Sequence, residues 1–253
     1  ALNAEPAPEP AGNFHITDDD LGIGGPKQKY ARNIEAIRTL FQLEQEHRGA
    51  TAEEQQVLSQ YVGWGGLADA FNPGKDSWAK EYAELKGLLS EDEYAAARSS
   101  TLNAHYTSPV VIRSIYDAVE KMGFQSGNIL EPSMGAGNFF GMLPTSMADS
   151  RLYGVELDSI TGRIAKKLYP QADITVAGFE TTDRRDFYDL AVGNVPFGQY
   201  RVNDKAYNKL GFSIHNYFFA KAIDQVRPGG IIAFVTSRYT MDSKDSTARK
   251  HMA

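Results

Sequence analysis

The sequence predicts an α/β domain built on a parallel sheet, preceded by a layer of helices. Three observations carry the prediction. From Asn103 onward, short apolar runs of strand length alternate with stretches of helical period, the grammar of βαβ crossovers. The first run opens into a glycine turn, Glu131-Pro132-Ser133-Met134-Gly135-Ala136-Gly137-Asn138-Phe139. The fourth, Leu190-Ala191-Val192-Gly193, ends in a polar turn that closes on an aromatic ring, Asn194-Val195-Pro196-Phe197-Gly198.

Residues 1–27 carry little periodic signal and read as a flexible lead-in. Within it, Asp18-Asp19-Asp20 lack the alternating ligands and closing glutamate of a calcium loop and read as solvated. Residues 28–102 read as the helical region. Tyr30, Ile34, Ile37, Leu40 and Phe41 recur at helical spacing, with Gly49 as the expected stop. Thr51 with Glu54, and Ser90 with Glu93, form capping boxes that open two further helices. Between them Gly63-Trp64-Gly65-Gly66 breaks the chain, and Trp78, Tyr82 and Leu85 mark another helix. Trp64 is expected to form a packed aromatic corner, because Trp is largely buried on average.

Residues 103–253 read as the α/β domain. Ser108 caps a helix that Pro109 starts, with Val111, Ile112, Ile115, Tyr116, Val119 and Met122 on its expected buried face and Gly123 as its stop. Strands are expected over 128–131, 152–156, 174–176, 188–193 and 231–236. Helices are expected after Asn138, over 159–169 and over 213–227, and Pro228-Gly229-Gly230 returns the chain to the fifth strand.

Composition narrows the function. The chain has 253 residues, 42% of them hydrophobic, and no apolar run approaching the roughly 18 residues of a membrane span. Its start has no basic, apolar signal pattern, so a cytoplasmic location is expected. The absence of cysteine excludes a disulfide framework, thiolate zinc and a cysteine nucleophile. The five histidines have no metal spacing, and no metal is expected. With 26 Lys and Arg against 32 Asp and Glu, the net charge is −6, so holding phosphates requires a local basic patch or basic surface supplied elsewhere. The first residue is Ala rather than Met, and the chain is expected to be processed or cut from something longer.

The chemistry concentrates at strand ends. Gly135 and Gly137 permit a tight turn and close approach of a ligand to backbone. A dinucleotide fingerprint would want a third glycine where Phe140 stands, and no phosphate loop is present. Glu131 repels a pyrophosphate but suits a cationic ammonium or sulfonium. Glu156 ends the second strand 25 positions later, near the roughly 20-residue offset at which an acid accepts from ribose hydroxyls. A nucleoside with a positively charged tail describes S-adenosylmethionine better than NAD. The turn after the fourth strand suits a planar amine: the Asn194 side-chain oxygen and the Val195 carbonyl each accept one N–H, and Phe197 stacks on the ring.

In this order and spacing the chain resembles the class I S-adenosylmethionine-dependent methyltransferases, whose fold is Rossmann-like, and within them the amino-methylating DNA adenine methyltransferases. The resemblance covers about 103–242 and is carried by the strand-end motifs. It implies that His105-Tyr106-Thr107-Ser108-Pro109 lies over the methionine end of the cofactor, with Tyr106 and Thr107 in contact. It implies a cofactor loop of Glu131, Ser133, Gly135, Ala136, Gly137, Asn138 and Phe139, a ribose end at Glu156 and Leu157, and an adenine end at Phe179 and Glu180. Asn194, Val195, Pro196 and Phe197 match the catalytic Asn-Pro-Pro-Phe or Asn-Pro-Pro-Tyr motif. The implied activity is N6 methylation of adenine in DNA, with the base flipped out of the duplex. With residues 13–40 and 61–71 ahead of it, the whole looks most like methylase domains at the front of large helicase-methylase proteins of phages and mobile elements. That implies DNA and the C-terminal remainder of a larger polypeptide, with helicase domains, as partners.

Three departures from the family pattern are specific to this chain. Val195 replaces the first proline, but a residue preceding proline is already pushed to an extended backbone, which keeps its carbonyl aimed. Gly178 stands where the family usually places an Asp before the Phe, so Glu180 or backbone groups must hold the cofactor's adenine amine. After Ser237 only 16 residues remain, so the sheet is expected to lack its last strands and to leave an edge for further chain or a partner to cover. Two other readings stay open: a catalytically degenerate fold kept as a structural or DNA-guiding module, and methylation of a glutamine amide in a protein. Cytosine C5 methylation is excluded for want of a cysteine; cytosine N4 is not. Asp204, Lys205 and Tyr207 are expected in a loop over the target base, and His215 as a packing or capping residue.

Overall fold

The fold is taken from a computed structural model, which describes residues 10–101 and 107–253. The helical layer comes first. Helix α1 spans Pro26–Gln45, with proline in its first turn and Tyr30, Ile34, Ile37, Leu40 and Leu43 buried along one face. It stops four residues before the expected Gly49. His47 takes the left-handed conformation with φ 52°, and Arg48 N–H turns back to the Leu43 carbonyl. Both capping boxes form, Thr51 with Glu54 ahead of α2 (Ala52–Ser59), and Ser90 with Glu93 ahead of α4 (Glu91–Ser100). Between them lies α3 (Ala79–Leu88). Trp64 is the packed corner expected of it: it is buried, with Tyr30, Tyr61 and Phe71 around its ring and the Phe71 centroid 5.3 Å away.

The stretch read as a flexible lead-in is tied to the fold from residue 10 onward. Ala11 N–H donates to the Ala50 carbonyl, Phe14 N–H to Leu168 and Ile16 N–H to Gly141, each at 2.8 Å, and Phe14 is buried. Its hydrogen bonds go to scattered carbonyls of other elements, so it has no period of its own. Residues 1–9 lie outside the described residues.

The α/β part opens with α5 (Pro109–Lys121), followed by β1 (Asn128–Glu131), α6 (Asn138–Gly141), β2 (Arg151–Glu156), α7 (Ser159–Leu168), β3 (Asp173–Val176) and β4 (Tyr188–Asn194). Helix α5 buries Ile112, Tyr116 and Val119 but leaves Val111 and Met122 exposed, at the edges of the expected face, and Ser108 precedes it without a side-chain capping bond. Helix α8 (Ile214–Gln225), strand β5 (Val226–Val235) and the short helices α9 (Tyr239–Asp242) and α10 (Thr247–Met252) complete it. The five strands are parallel in the order β3-β2-β1-β4-β5. Chain direction across the sheet therefore reverses between β1 and β4, and the crevice outside the carboxyl ends of these strands is where such sheets bind ligands. Strand β5 begins earlier than the sequence predicts: Val226 pairs with Tyr188 and Ile231 with Leu190, so residues 227–230 bulge opposite Asp189.

The layer and the sheet share one apolar cluster, which runs from Ile37 and Trp64 through Tyr116 and Phe139 to Ile129 and Leu190. Burying each large aliphatic side chain in it is worth about 1.5–3 kcal/mol. Polar ties reinforce the contact: Arg163 of α7 pairs with Glu44 and with Glu93 (2.7 Å), and buried Gln55 donates to the Gly12 carbonyl at 2.8 Å. No helix among the described residues is long and apolar enough to cross a membrane.

Candidate functional site

The glycine loop is fastened to β2 before it reaches α6. Met134 N–H donates to the Val155 carbonyl at 2.9 Å, and the Met134 side chain lies over Gly154, where any Cβ would collide with its sulfur. Gly137, at φ 86°, faces the Tyr169 ring so closely that no side chain fits. Gly135 N–H donates to Glu156 Oε2 and Asp158 N–H to Glu156 Oε1, both at 2.8 Å. One carboxylate thus fixes the loop after β1 against the end of β2.

Glu131 sits beneath this loop. It is only 2% exposed, and its Oε2 is buried with no hydrogen-bond partner among the described residues. Burial, reinforced by the charge of Glu156, pushes its carboxyl well above the usual range. Burial likewise raises Glu156 to about 7, against the backbone N–H groups of Asp158, Gly135 and Leu157 that favour its charged form. An unpartnered carboxyl oxygen beside a second carboxyl is a donor set for a cation, and it fits the sulfonium-bearing nucleoside that the sequence points to.

The turn after β4 adjoins both. A Cβ on Gly193, which has φ 144°, would lie 3.3 Å from the Cγ of Glu131. The Ser133 hydroxyl donates to the Asn194 backbone carbonyl at 3.0 Å. Val195 N–H donates to the Val235 carbonyl at 3.1 Å, and its side chain is fully buried, which anchors the turn on β5. Behind it, buried His215 of α8 hydrogen-bonds the Gly198 backbone, and burial holds its imidazole below its ordinary pKa. The expected packing role of His215 is therefore a specific one, backing the turn.

Hydrogen bonds thus join Gly135 to Glu156 and Ser133 to Asn194 along one rim, with Glu131 beside Gly193 and with Ala136, Asn138, Pro196 and Phe197 half-buried on the same turns. Leu157 stands at the rim with 76% of its surface exposed. Two side chains expected at the cofactor are instead core. Phe139 is buried against Tyr116, whose hydroxyl donates to the Phe139 carbonyl, and Phe179 is buried and stacked on Phe218 at 4.9 Å. Their rings fill the two sides of the sheet, leaving only backbone to offer a ligand. Thr107 is half-buried; Tyr106 and His105 lie outside the described residues. The Glu180 carboxyl folds back over Gly178 and occupies the space a side chain there would take.

Sequence reasoning missed Lys221. Its ammonium is buried on α8, donating to Asp204 Oδ2 at 2.8 Å and to the Glu180 carbonyl at 3.1 Å, while the Tyr217 hydroxyl donates to the same Asp204 oxygen at 2.8 Å. A lysine one helical turn from a buried tyrosine, on the apolar face of α8, was the available signal. A cavity of about 440 Å³ lined by Pro10, Gly49, Lys167, Tyr169 and Asp173 shares no residue with the rim; the rim is singled out by its chemistry, not by volume.

Sheet order, glycine loop and strand-end acids together define a Rossmann-like α/β fold with its candidate site at the carboxyl ends of the strands. No family model matches the chain. Residues of this chain are 27% identical over 191 positions to the "Defense against restriction protein B" of Escherichia phage P1, covering 73% of this chain and 7% of that protein. They are 34% identical over 93 positions to the type II methyltransferase M.CvrRI of Paramecium bursaria Chlorella virus XZ-6E, covering 36% of this chain and 24% of that one. The chain therefore spans only a small part of the length of either relative. Among solved structures, a Listeria monocytogenes protein described as a class I S-adenosylmethionine-dependent methyltransferase is 14% identical, with 89% of this chain and 78% of that chain covered at a TM-score of 0.49.

Proposed function

We propose that this chain is the methyl-transferring part of a larger DNA methyltransferase, acting on the exocyclic amino group of adenine. The observation that carries the reading is the contact between the two chemistries: Ser133, in the loop that would hold the cofactor, bonds the backbone of Asn194, in the turn that would hold the amine. S-adenosylmethionine, when bound, supplies an electrophilic methyl group on a sulfonium. Glu131 and Glu156 would hold its cationic and ribose ends, Glu180 would accept from its adenine amine, and the backbone at 135–138 would allow its close approach.

The aryl amine is a poor nucleophile, because its lone pair is delocalised into the ring. The Asn194 side-chain oxygen and the Val195 carbonyl accept its two hydrogens, favour pyramidal nitrogen and aim the lone pair along the line of transfer. Pro196 stiffens the turn and Phe197 stacks on the extruded base. Holding the reacting atoms at about 3–3.5 Å supplies most of the acceleration. The amine proton becomes acidic only as the nitrogen is alkylated and leaves toward solvent, so no strong general base is needed.

One relative is named for defense against restriction and the other as a type II methyltransferase, which supports DNA over a protein amide as the acceptor. A labelled-methyl assay that offers the chain duplex DNA and, separately, protein acceptors tests the reading. Label recovered as N6-methyladenine is the expected result; label in protein, or in cytosine, would replace it.

A further inference from the structure

An acidic chain needs somewhere to hold a polyanion, and its charge is unevenly distributed. Residues 198–253 contain nine Lys and Arg against four Asp and Glu, whereas the preceding residues contain 17 against 28. The basic portion begins at Gly198, where the Asn194 turn ends. It comprises the segments leaving the carboxyl ends of β4 and β5, on the rim that carries the candidate site.

The first of these segments, residues 200–211, is built as a rigid mount. Its inward face carries a carboxylate: Asp204, 9% exposed, is held by the buried Lys221 ammonium and the Tyr217 hydroxyl. Asp204 also closes its own turn, accepting from Ala206 N–H at 3.1 Å through Oδ1 and from Tyr207 and Asn208 N–H through its carbonyl. The Tyr207 hydroxyl reaches Asp224 on α8, and the Tyr200 carbonyl accepts from Ile214 N–H at 3.0 Å. Its outward face carries Arg201, Lys205 and Lys209, all exposed, with the Arg201 guanidinium lying beside Gly211. A loop that buries an ion pair inward and directs three cations outward has its charges placed before any ligand arrives, which lowers the ordering cost of binding.

We propose that this loop is the phosphate clamp of the site: Arg201, Lys205 and Lys209 take phosphodiester oxygens of the duplex flanking the extruded base. The inference rests on the DNA reading above and assigns the part of the chain that overcomes its acidic balance. Contacts of this kind position the duplex and carry no sequence information. They are screened by salt, with the logarithm of affinity falling by about 0.9 per phosphate for each tenfold rise in salt.

The test is fluorescence anisotropy of a short labelled duplex with the full chain, titrated between about 50 and 200 mM salt. The variants are R201E/K205E/K209E, its neutral counterpart R201Q/K205Q/K209Q, and a control reversal, K80E/K121E/R151E, on exposed cations elsewhere. Thermal unfolding checks that each variant is folded, and the neutral triple serves if the charge reversal is not. The clamp predicts affinity at least about tenfold weaker and a salt slope shallower by about 2–3 in the loop variants only. Equal affinity and slope in loop variants and wild type would overturn the clamp while leaving the DNA reading standing if methyl transfer persists. Loss in the control as well would overturn it too, by showing a general charge effect. A wild-type chain that neither binds nor methylates duplex removes the DNA reading and the clamp together.

Discussion

The Ser133 hydroxyl donates a 3.0 Å hydrogen bond to the carbonyl oxygen of Asn194, across 61 residues of sequence. It joins the turns after β1 and β4, neighbours in the sheet, at the point where chain direction across the sheet reverses. Ser133→Ala removes this tie. The expected stability loss is about 0.5–1.5 kcal/mol by urea denaturation, with a larger relative fall in kcat than in cofactor affinity, since the glycine loop proposed to hold the cofactor keeps its other anchors.

In the proposed reaction, Asn194→Ala removes an acceptor for the target amine and leaves the glycine loop intact. Methyl transfer is expected to fall on the order of 100-fold or more while cofactor binding, measured by calorimetry, stays within a few-fold. Equal losses in both would place Asn194 in the cofactor site instead.

The Glu180 carboxyl occupies the space beside Gly178, and the proposed function gives it the acceptor role there. Glu180→Ala is expected to weaken S-adenosylmethionine binding about tenfold, the loss of one hydrogen bond to a charged group. Gly178→Asp, added to that variant, restores the acceptor from the other position and recovers most of the affinity. Calorimetry reads both steps, and an unaffected E180A would remove Glu180 from the site.

Binding of a cation beside Glu131 and Glu156 favours their ionised forms. Because burial holds Glu156 at about 7 in the free chain and Glu131 higher, cofactor binding near neutral pH is expected to release protons and to tighten as pH rises from about 6 to 8. Calorimetry in buffers of different ionisation enthalpy detects the release; pH-independent affinity would contradict it. The free chain shows the converse. A carboxyl whose folded pKa is raised contributes stability below its unfolded pKa of about 4.3, and this is lost as pH rises through about 7.

Lys221→Met leaves the Asp204 carboxylate buried without its counter-ion, at a cost of about 3–5 kcal/mol. The double replacement D204N/K221M removes both charges and is expected to recover much of that loss. Chemical denaturation of the two variants measures the difference.

Much of this was legible because it depends on local patterns. The capping boxes at Thr51 and Ser90, the five strands and the acids at strand ends follow from spacing along the chain, and the parallel sense of the sheet, though not its strand order, from the βαβ alternation. What escaped depends on distant partners. Residues 11–16 show no period because their hydrogen bonds go to Ala50, Leu168 and Gly141. Phe139 and Phe179 sit next to ligand-type turns in sequence, yet their rings turn into the core, a choice made by Tyr116 and Phe218. The end of α1 was misplaced because His47 adopts a conformation that sequence assigns to glycine. Lys221 has no local mark beyond its place on an apolar helix face.

The most direct measurement is transfer of labelled methyl from S-adenosylmethionine to duplex DNA by the full chain and its Asn194→Ala variant, with the modified nucleoside identified by mass. N6-methyladenine formed by the wild type and lost in the variant, with cofactor binding retained in both, is the predicted result. A chain that binds no S-adenosylmethionine, or transfers methyl equally well without Asn194, would contradict a site formed where the Ser133 loop meets the Asn194 turn.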